Sequence, residues 1–458
     1  MSIRDGGGPL RQLVVAAAEL RFDDLPDDVV ATASRNILDT IGVALAGADE
    51  PVTEIMRKAL TVEGTGCGPS RIWGTTLKKS AIDAATLNGT AAHALDFDDW
   101  APGSGIHPSA PILPAVMAVA DEIGSSGADV ITAYVAGYEV QERLGLAVGK
   151  SHYDLGFHTT GTIGTFGAAA AAAQMYGADP HQMSTALRVA ATQAAGLKAM
   201  FGSMGKPLHA GRAAAAGILA ARLAMNGFVA SSDSVLGEQG FVPTHSTGID
   251  EAWLHARFDE LWLVRDTRIK RYAACFGTHA AIDAALTLRA DPLFDAGTIE
   301  RIELDIPQIC VGVCTIAAPT TALEAKFSIA FVIAAALIHG AAGVEQFTAA
   351  SLADPAVQRL ARVVRLRPND WMDKTRTDAR VFFTGDRLAS ASADANESWI
   401  HLSDSERVVQ VRRKFTTLAA PIISYERAAK LADRITNLAH CPDMSTIADD
   451  LVPLSGEQ

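Results

Sequence analysis

Apolar residues recur at helical spacing over most of the first half of the chain. In "SRNILDTIGVALAG" and "DVITAYVAGYEVQERLGLAVG" they fall at i, i+3, i+4 and i+7, the stripe of an amphipathic helix. "GTFGAAAAAAQMYG" and "GRAAAAGILAARLAMNG" are small or apolar all round, which predicts buried helices whose backbones approach closely. Breaks fall at "GADPHQ" and "NGFVASSDS". After Phe258 the period changes. "TIERIELDI", "VVRLRP", "RVFFTG" and "SWIHL" read as short strands, with "THAAIDAALTLRA" and "TALEAKFSIAFVIAAALIHG" as helices between them. "SDSERVVQVRRKF" then returns to helix, with Ser403 and Glu406 spaced as a capping box. The pattern predicts a mainly α protein. A large all-helical domain, residues 1–265 and 401–458, carries a smaller α+β lid domain over 266–400. Neither a tandem repeat nor a low-complexity linker is visible.

Composition agrees with a large buried fraction: of 458 residues, 49% are hydrophobic and 20% charged, while aromatics are scarce at 6%. The formal net charge of −13 argues against nucleic acid or an anionic membrane as partner, so an anionic substrate would need a local basic pocket. Five cysteines, odd in number and scattered, suit a reducing cytoplasm better than a disulfide framework. "MSIRDGGGPLRQ" lacks the apolar core of a signal peptide, and the longest apolar run, Ile329 to Ile338, is about half a membrane crossing. The expectation is a cytoplasmic protein.

Polar residues interrupt the apolar pattern in four places. "HALDFDDWAPGSGIHPSAPILPA" gathers Asp96, Asp98, Asp99, Trp100 and His107 around a turn. "GKSHYDLGFHTTGTIGTFG" places His152 and His158 before a Gly/Thr-rich turn. "FGSMGKPLHAGRAAAAG" sets Lys206 and His209 ahead of a buried helix. "RDTRIKRYAACFGTH" brings Arg268, Lys270, Arg271, Cys275 and His279 to the predicted domain junction. Three of the four end at helix N-termini, where free N–H groups favour an anion. Each also has a plain structural reading: solvated loop acids, a satisfied histidine, a turn lysine, a basic face, and Cys310 and Cys314 as buried small residues. Composition alone leaves both readings open. The chain has no H-E-x-x-H, no paired C-x-x-C and no GxxxxGK[ST], which removes zinc hydrolase, zinc ribbon and P-loop readings.

Taken together, "NGTAAHALDFDDW…HPSAPILPA", "GFHTTGTIGTFGAAAAAA", "GSMGKPLHAG", "KRYAACFGTHAAIDAAL" and "EAKFSIAFVIAAAL" resemble the MmgE/PrpD family over nearly the whole chain. That family includes 2-methylcitrate dehydratase, cis-aconitate decarboxylase and iminodisuccinate epimerase. The resemblance implies a cofactor-free enzyme without a metal, assembled as a homodimer, with its site between a helical domain and an α+β lid. It implies that Asp96 and His107 are the loop aspartate and catalytic histidine, that His158 precedes the Gly/Thr turn, and that Lys206 and Lys270 are the motif lysines. Three details depart from the decarboxylase. Trp100 stands where a threonine follows the acid pair, Cys275 replaces a histidine, and Phe331 replaces a tyrosine. In these the chain resembles the epimerase more closely.

The shared chemistry of the family is proton movement at the carbon α to a carboxylate of a small di- or tricarboxylate. On this reading Lys206 and Lys270 clamp carboxylates, His107 exchanges the proton, Asp96 orients it, and His158, Lys270 or Cys275 serves the opposite face. His209, Arg271, Trp100 and Phe331 complete the expected substrate contacts. An epimerase or isomerase, or a dehydratase- or decarboxylase-like lyase, fits this set. The rivals are an Fe–S hydratase, which needs three clustered thiolates, and an inactive helical scaffold, which needs no basic pocket.

Overall fold

The computed structural model describes residues 10–60, 67–255 and 257–453. Most of the N-terminal stretch that bears on a signal peptide, residues 1–9, lies outside them. The protein is mainly α with a smaller α+β part. Its long helices are Asp27–Gly47, Ala81–Ala94, Ser109–Ile123, Gly127–Asp154, Thr159–Met175, Pro180–Gln193 and Gly205–Met225, joined at the C-terminal end by Asp404–Ile423 and Tyr425–Thr436. These helices share one continuous core, rich in alanine. Helix Asp27–Gly47 is long and apolar enough to cross a membrane, but it lies inside this core and buries Arg35, Asn36 and Asp39.

Small residues decide how the helices cross. At Gly211 an added Cβ would lie 2.2 Å from the Thr86 carbonyl oxygen and 2.4 Å from Thr90 Oγ1. At Gly89 it would lie 2.9 Å from the Gly211 Cα. Helices Ala81–Ala94 and Gly205–Met225 therefore touch backbone to backbone. This crossing brings the end of one, which leads into Asp96, beside the start of the other, which carries Lys206.

The α+β part has a four-stranded sheet in the order Val364–Asn369, Ile299–Pro307, Arg376–Phe383, Leu388–Asp394. The first pair is parallel, in register Ile302 to Val364, and the other pairs are antiparallel. Helices His279–Arg289 and Ile329–His339 cover the sheet in a second core. That core reaches back to Leu95 and Phe97, so the two apolar neighbours of Asp96 are anchored among lid residues.

Two predicted elements differ. "SWIHL" is a helical turn, Glu397–Ile400, because Trp399 is buried in the helical core between the guanidiniums of Arg35 and Arg407. The edge strand is instead "LASASAD", whose alanines and serines give little strand signal. The expected helix "TALEAKFSIAFVIAAALIHG" ends at Ala325 and restarts at Ile329, where Ser328 Oγ accepts from the Phe331 amide. The break frees Lys326 to point inward.

Gly211→Ala should lower stability by about 1–3 kcal/mol, because a backbone carbonyl in the way has little room to retreat. Gly248→Ala, where a Cβ meets nothing within 4 Å, should be neutral. Thermal unfolding of both variants checks this, and equal midpoints would show that the crossing is not limiting.

Candidate functional site

Helix Ala81–Ala94 ends just before Asp96, whose φ of +49° is a conformation that L side chains rarely adopt. Three successive carbonyls of this turn each accept from a lysine. Leu95 O accepts from Lys326 Nζ at 2.8 Å, Asp96 O from Lys270 Nζ at 2.9 Å, and Phe97 O from Lys414 Nζ at 2.6 Å. Lys326 also reaches Ala273 O, and Lys414 reaches Lys270 O. The aspartate turn and the 270–273 segment of the lid are thus stitched together by buried ammonium groups.

Asp96 Oδ1 takes two further cationic bonds, from Lys270 at 2.6 Å and Lys206 at 2.9 Å. Burial works to raise this carboxyl, but the two ammoniums outweigh it and hold it well below the usual range. Lys206 Nζ also lies 2.9 Å from His93 Nε2. An ammonium only donates, so His93 Nε2 is an acceptor there, and the ring proton sits on Nδ1, facing Asp98 Oδ2 at 2.7 Å.

His107 Nδ1 lies 3.3 Å from the same Asp98 oxygen, without hydrogen-bond alignment, and its Nε2 lies 3.9 Å from Asp96 Oδ1. Asp98, rather than the expected Asp96, is therefore the nearer orienting carboxylate. Burial drives His107 down to about 3, against the pull of Asp98 and assisted by Lys270 and Lys206. The ring is neutral at pH 7, and a proton on Nδ1 leaves the Nε2 lone pair free. The His107 amide donates to Thr160 Oγ1 at 3.1 Å, which ties this loop to the start of helix Thr159–Met175. His158 caps that helix start, donates its backbone N–H to Gly196 O, and faces His209, with the Nδ1 atoms 3.0 Å apart.

Asp99 differs from its neighbours. Burial raises its carboxyl well above the usual value, and it is held by Ser109, whose hydroxyl meets Tyr134 OH at 2.6 Å. Asp39 is raised by burial to about 6, so it is largely ionised at pH 7 beside Lys414 at 2.8 Å. Burial lowers Lys326 only to about 8, leaving it mostly charged. Four lysines, 206, 270, 326 and 414, face Asp39, Asp96 and Asp98 here, with Glu50 beside Lys326 as a fourth acid. The wall of the adjoining cavity carries Lys150, Lys198, Lys206 and Lys374 against Asp96, Asp154 and Asp370, a formal surplus of one positive charge.

All four segments singled out in the sequence meet here. A cavity of about 770 Å³ is lined by Asp96, Trp100, His107, His158, Lys206 and Cys275 among others. Trp100 stacks on Phe276 with ring centroids 4.0 Å apart, closing one wall between the helical and lid parts. The remaining expected residues stand off the wall. Lys270 is fully buried beneath Asp96, so its ammonium serves the aspartate instead of reaching into the cavity. His209 sits behind His158. Arg271 is paired with Asp283, and Phe331 packs in the lid core near Phe347. His93, Lys326, Lys414 and Tyr153, which lines the cavity, were not singled out. The available signal was a lone lysine inside an apolar run, as in "EAKFSIAF".

His93, Asp96, Asp98 and His107 each offer an atom within 4.8 Å of the others, the spacing of a metal site. Two lysines already occupy Asp96 Oδ1, and both ring nitrogens of His93 are engaged. A dication bound through Asp96 Oδ1 or His93 Nε2 would have to displace an ammonium group, so those two atoms fit a metal poorly.

Family models for the MmgE/PrpD N-terminal and C-terminal domains match residues 11–253 and 272–439. Cis-aconitate decarboxylase of Homo sapiens is 29% identical over 445 residues, covering 93% of this chain and 91% of that protein. The Mus musculus enzyme of that name is 31% identical over 363 residues, covering 76% and 73%. The Aspergillus terreus enzyme is 27% identical over 463 residues, 94% of each chain.

The depressed His107 has a consequence for stability. Below its ordinary value of 6.5 the unfolded chain binds a proton that the folded site refuses, so its contribution is complete above about pH 6.5 and is lost as pH falls toward 3. Glu142, raised by burial to about 8, and Glu139, to about 7, act in the opposite direction, so the effect must be read as a difference. Wild type should lose about 2 kcal/mol relative to His107→Gln between pH 7 and pH 5. Denaturant unfolding at the two pH values measures it, and a constant difference would mean that His107 titrates normally.

Proposed function

Because the chain belongs to the MmgE/PrpD family, we propose that it is a lyase acting on a small unsaturated or hydroxylated tricarboxylate of the cis-aconitate kind. The reaction moves a proton at the carbon next to a carboxylate. The observation that carries this reading is the neutral His107 imidazole on the wall of a cavity whose surrounding charges leave a positive surplus.

In the free protein His107 is a base. A bound polyanion brings negative charge close to it, which raises its proton affinity and allows it to act as the acid that protonates a substrate carbon. Of the lysines at the wall, Lys206 is the buried one beside His107, so a substrate carboxylate pairs with it there, sharing the ammonium with Asp96. As charge builds on that carboxylate in the transition state, the ammonium stabilises it without moving. Lys270 keeps Asp96 ionised and fixed from below. His158, backed by His209, is the second imidazole facing the cavity.

A second reading keeps the same site with a different outcome. Cys275 lies on the cavity wall, and its thiol could serve as a second proton carrier, as epimerisation of an α-carbon requires. Decarboxylation needs only one proton delivery together with loss of CO2. The relatives' names favour the lyase, and Cys275 favours the epimerase.

One experiment separates the two. The protein is incubated in D2O with di- and tricarboxylates, including cis-aconitate, and followed by NMR. A lyase consumes substrate, incorporates deuterium at one carbon of the product and releases CO2 or water. An epimerase exchanges the α-hydrogen at constant total substrate. His107→Gln should lower either rate at least a hundredfold, in line with loss of a general acid–base group. Failure to exchange or consume any member of the panel would contradict the proposal.

A further inference from the structure

The cysteines are scattered in sequence, yet three of the five meet in space. Cys275 Sγ and Cys314 Sγ are 3.1 Å apart, with Cys314 as donor. Cys310 Sγ lies 3.6 Å from Gly277 O, next to them. Gly277 makes room for the group: a Cβ there would fall 3.1 Å from the Cys314 sulfur and 3.2 Å from that of Cys310. All three residues border the cavity, Cys275 the most open of them, whereas Cys67 and Cys441 lie elsewhere.

We infer that Cys275 and Cys314 form an oxidisable dithiol, a modification site at which hydrogen peroxide closes a disulfide in the cavity wall. Cys275 is the attacking sulfur. It is open to the cavity, accepts the Cys314 S–H, and has its pKa lowered by that bond, with Lys270 and Lys206 helping against burial and Asp96. Its thiolate attacks one peroxide oxygen: an S–O bond forms, the O–O bond breaks, and the leaving hydroxide takes up the proton that the thiol released, departing as water. Cys275 is then a sulfenic acid, oxidised by two electrons, and the peroxide is reduced. The Cys314 sulfur attacks the Cys275 sulfur. The S–S bond forms, the S–O bond breaks, and water departs with the Cys314 proton.

The partners have only about 1 Å to travel to reach disulfide length. Cys275 sits at the edge of a short 3-10 turn, and Cys314 lies in an irregular segment before helix Ala322–Ala325, so no long helix must shift. With a resolving thiol already in contact, capture of the sulfenic acid outruns further oxidation. Closure draws the Cys275 sulfur off the wall and ties the segment that follows Lys270 to the loop that faces it. Loss of turnover on oxidation rests on the functional reading above; formation of the bond does not.

The test treats the whole protein with a small excess of hydrogen peroxide, blocks free thiols under denaturing conditions, and maps tryptic peptides. Cys275 lies in the peptide 272–289, while Cys310 and Cys314 share the peptide 302–326. Reactive thiols should fall from five to three, and the two peptides should appear joined, two hydrogens lighter than their sum. Cys310→Ser should still give the joined pair. Cys314→Ser should abolish it and leave a Cys275 sulfenic acid that dimedone traps. Turnover of wild type should drop more than tenfold and return with dithiothreitol. Unlinked peptides in oxidised wild type, or a loop confined to 302–326, would overturn the proposal. A joined pair with unchanged turnover would overturn the inhibitory effect while keeping the bond, and neither result depends on which carboxylate is the substrate.

Discussion

Three adjacent carbonyls, those of Leu95, Asp96 and Phe97, are each satisfied by the ammonium of a different lysine, and the rest of the site depends on this arrangement. The helix ends at Ala94, so these carbonyls lose their intrahelical partners just where the chain is buried. Unpaired, each would be strongly unfavourable. Asp96 adds a left-handed backbone, which an L residue adopts at roughly 1–2 kcal/mol. Lys270, Lys326 and Lys414 come from segments far apart in sequence, so the turn takes this shape only when the helical and lid parts are both in place.

The charges around the turn set the chemistry. Lys206 and Lys270 hold Asp96 well below the usual carboxylate range despite burial, His93 and His107 do the same for Asp98, and the lysines of the cavity wall leave a surplus for an anion. This answers the difficulty posed by a chain of net charge −13: capture of a polycarboxylate is local and acts over a few ångströms. Charge already balanced by neighbours need not reorganise when a substrate arrives, which is the condition under which fixed charges stabilise a transition state best. Asp99, one residue further along, shows the alternative. Without an ammonium beside it, it is pushed up by burial and held by a serine hydroxyl.

Much of this was legible in the sequence. Helical periodicity and the Gly/Ala-rich runs predicted the large helical part, and alternation predicted three of the four long strands. The strand Leu388–Asp394 escaped because alanine and serine carry little strand preference, and "SWIHL" misled because its buried tryptophan serves the helical core. Asp96, His107, His158, Lys206 and Cys275 stood out because polar groups broke an apolar pattern, and they share the cavity. What periodicity could not convey was direction. Lys270 looked like a clamp for substrate and is instead turned beneath Asp96. Nothing in the pattern marks Lys326 or Lys414, although each reaches a carbonyl more than 200 residues away in sequence. The contact between Cys275 and Cys314 was equally hidden, since 39 residues separate them.

A buried, closed turn keeps His107 neutral, and the protonation of that ring reports on it directly. Nitrogen-15 NMR of histidine-labelled protein, assigned with His107→Gln, follows both ring nitrogens with pH. The structure predicts a neutral ring from pH 8 down to below pH 5, with one nitrogen protonated and the other carrying a lone pair, consistent with a pKa driven to about 3. Titration of His107 near its ordinary value of 6.5 would mean that the turn opens to solvent, and would contradict the arrangement on which the proposed chemistry rests.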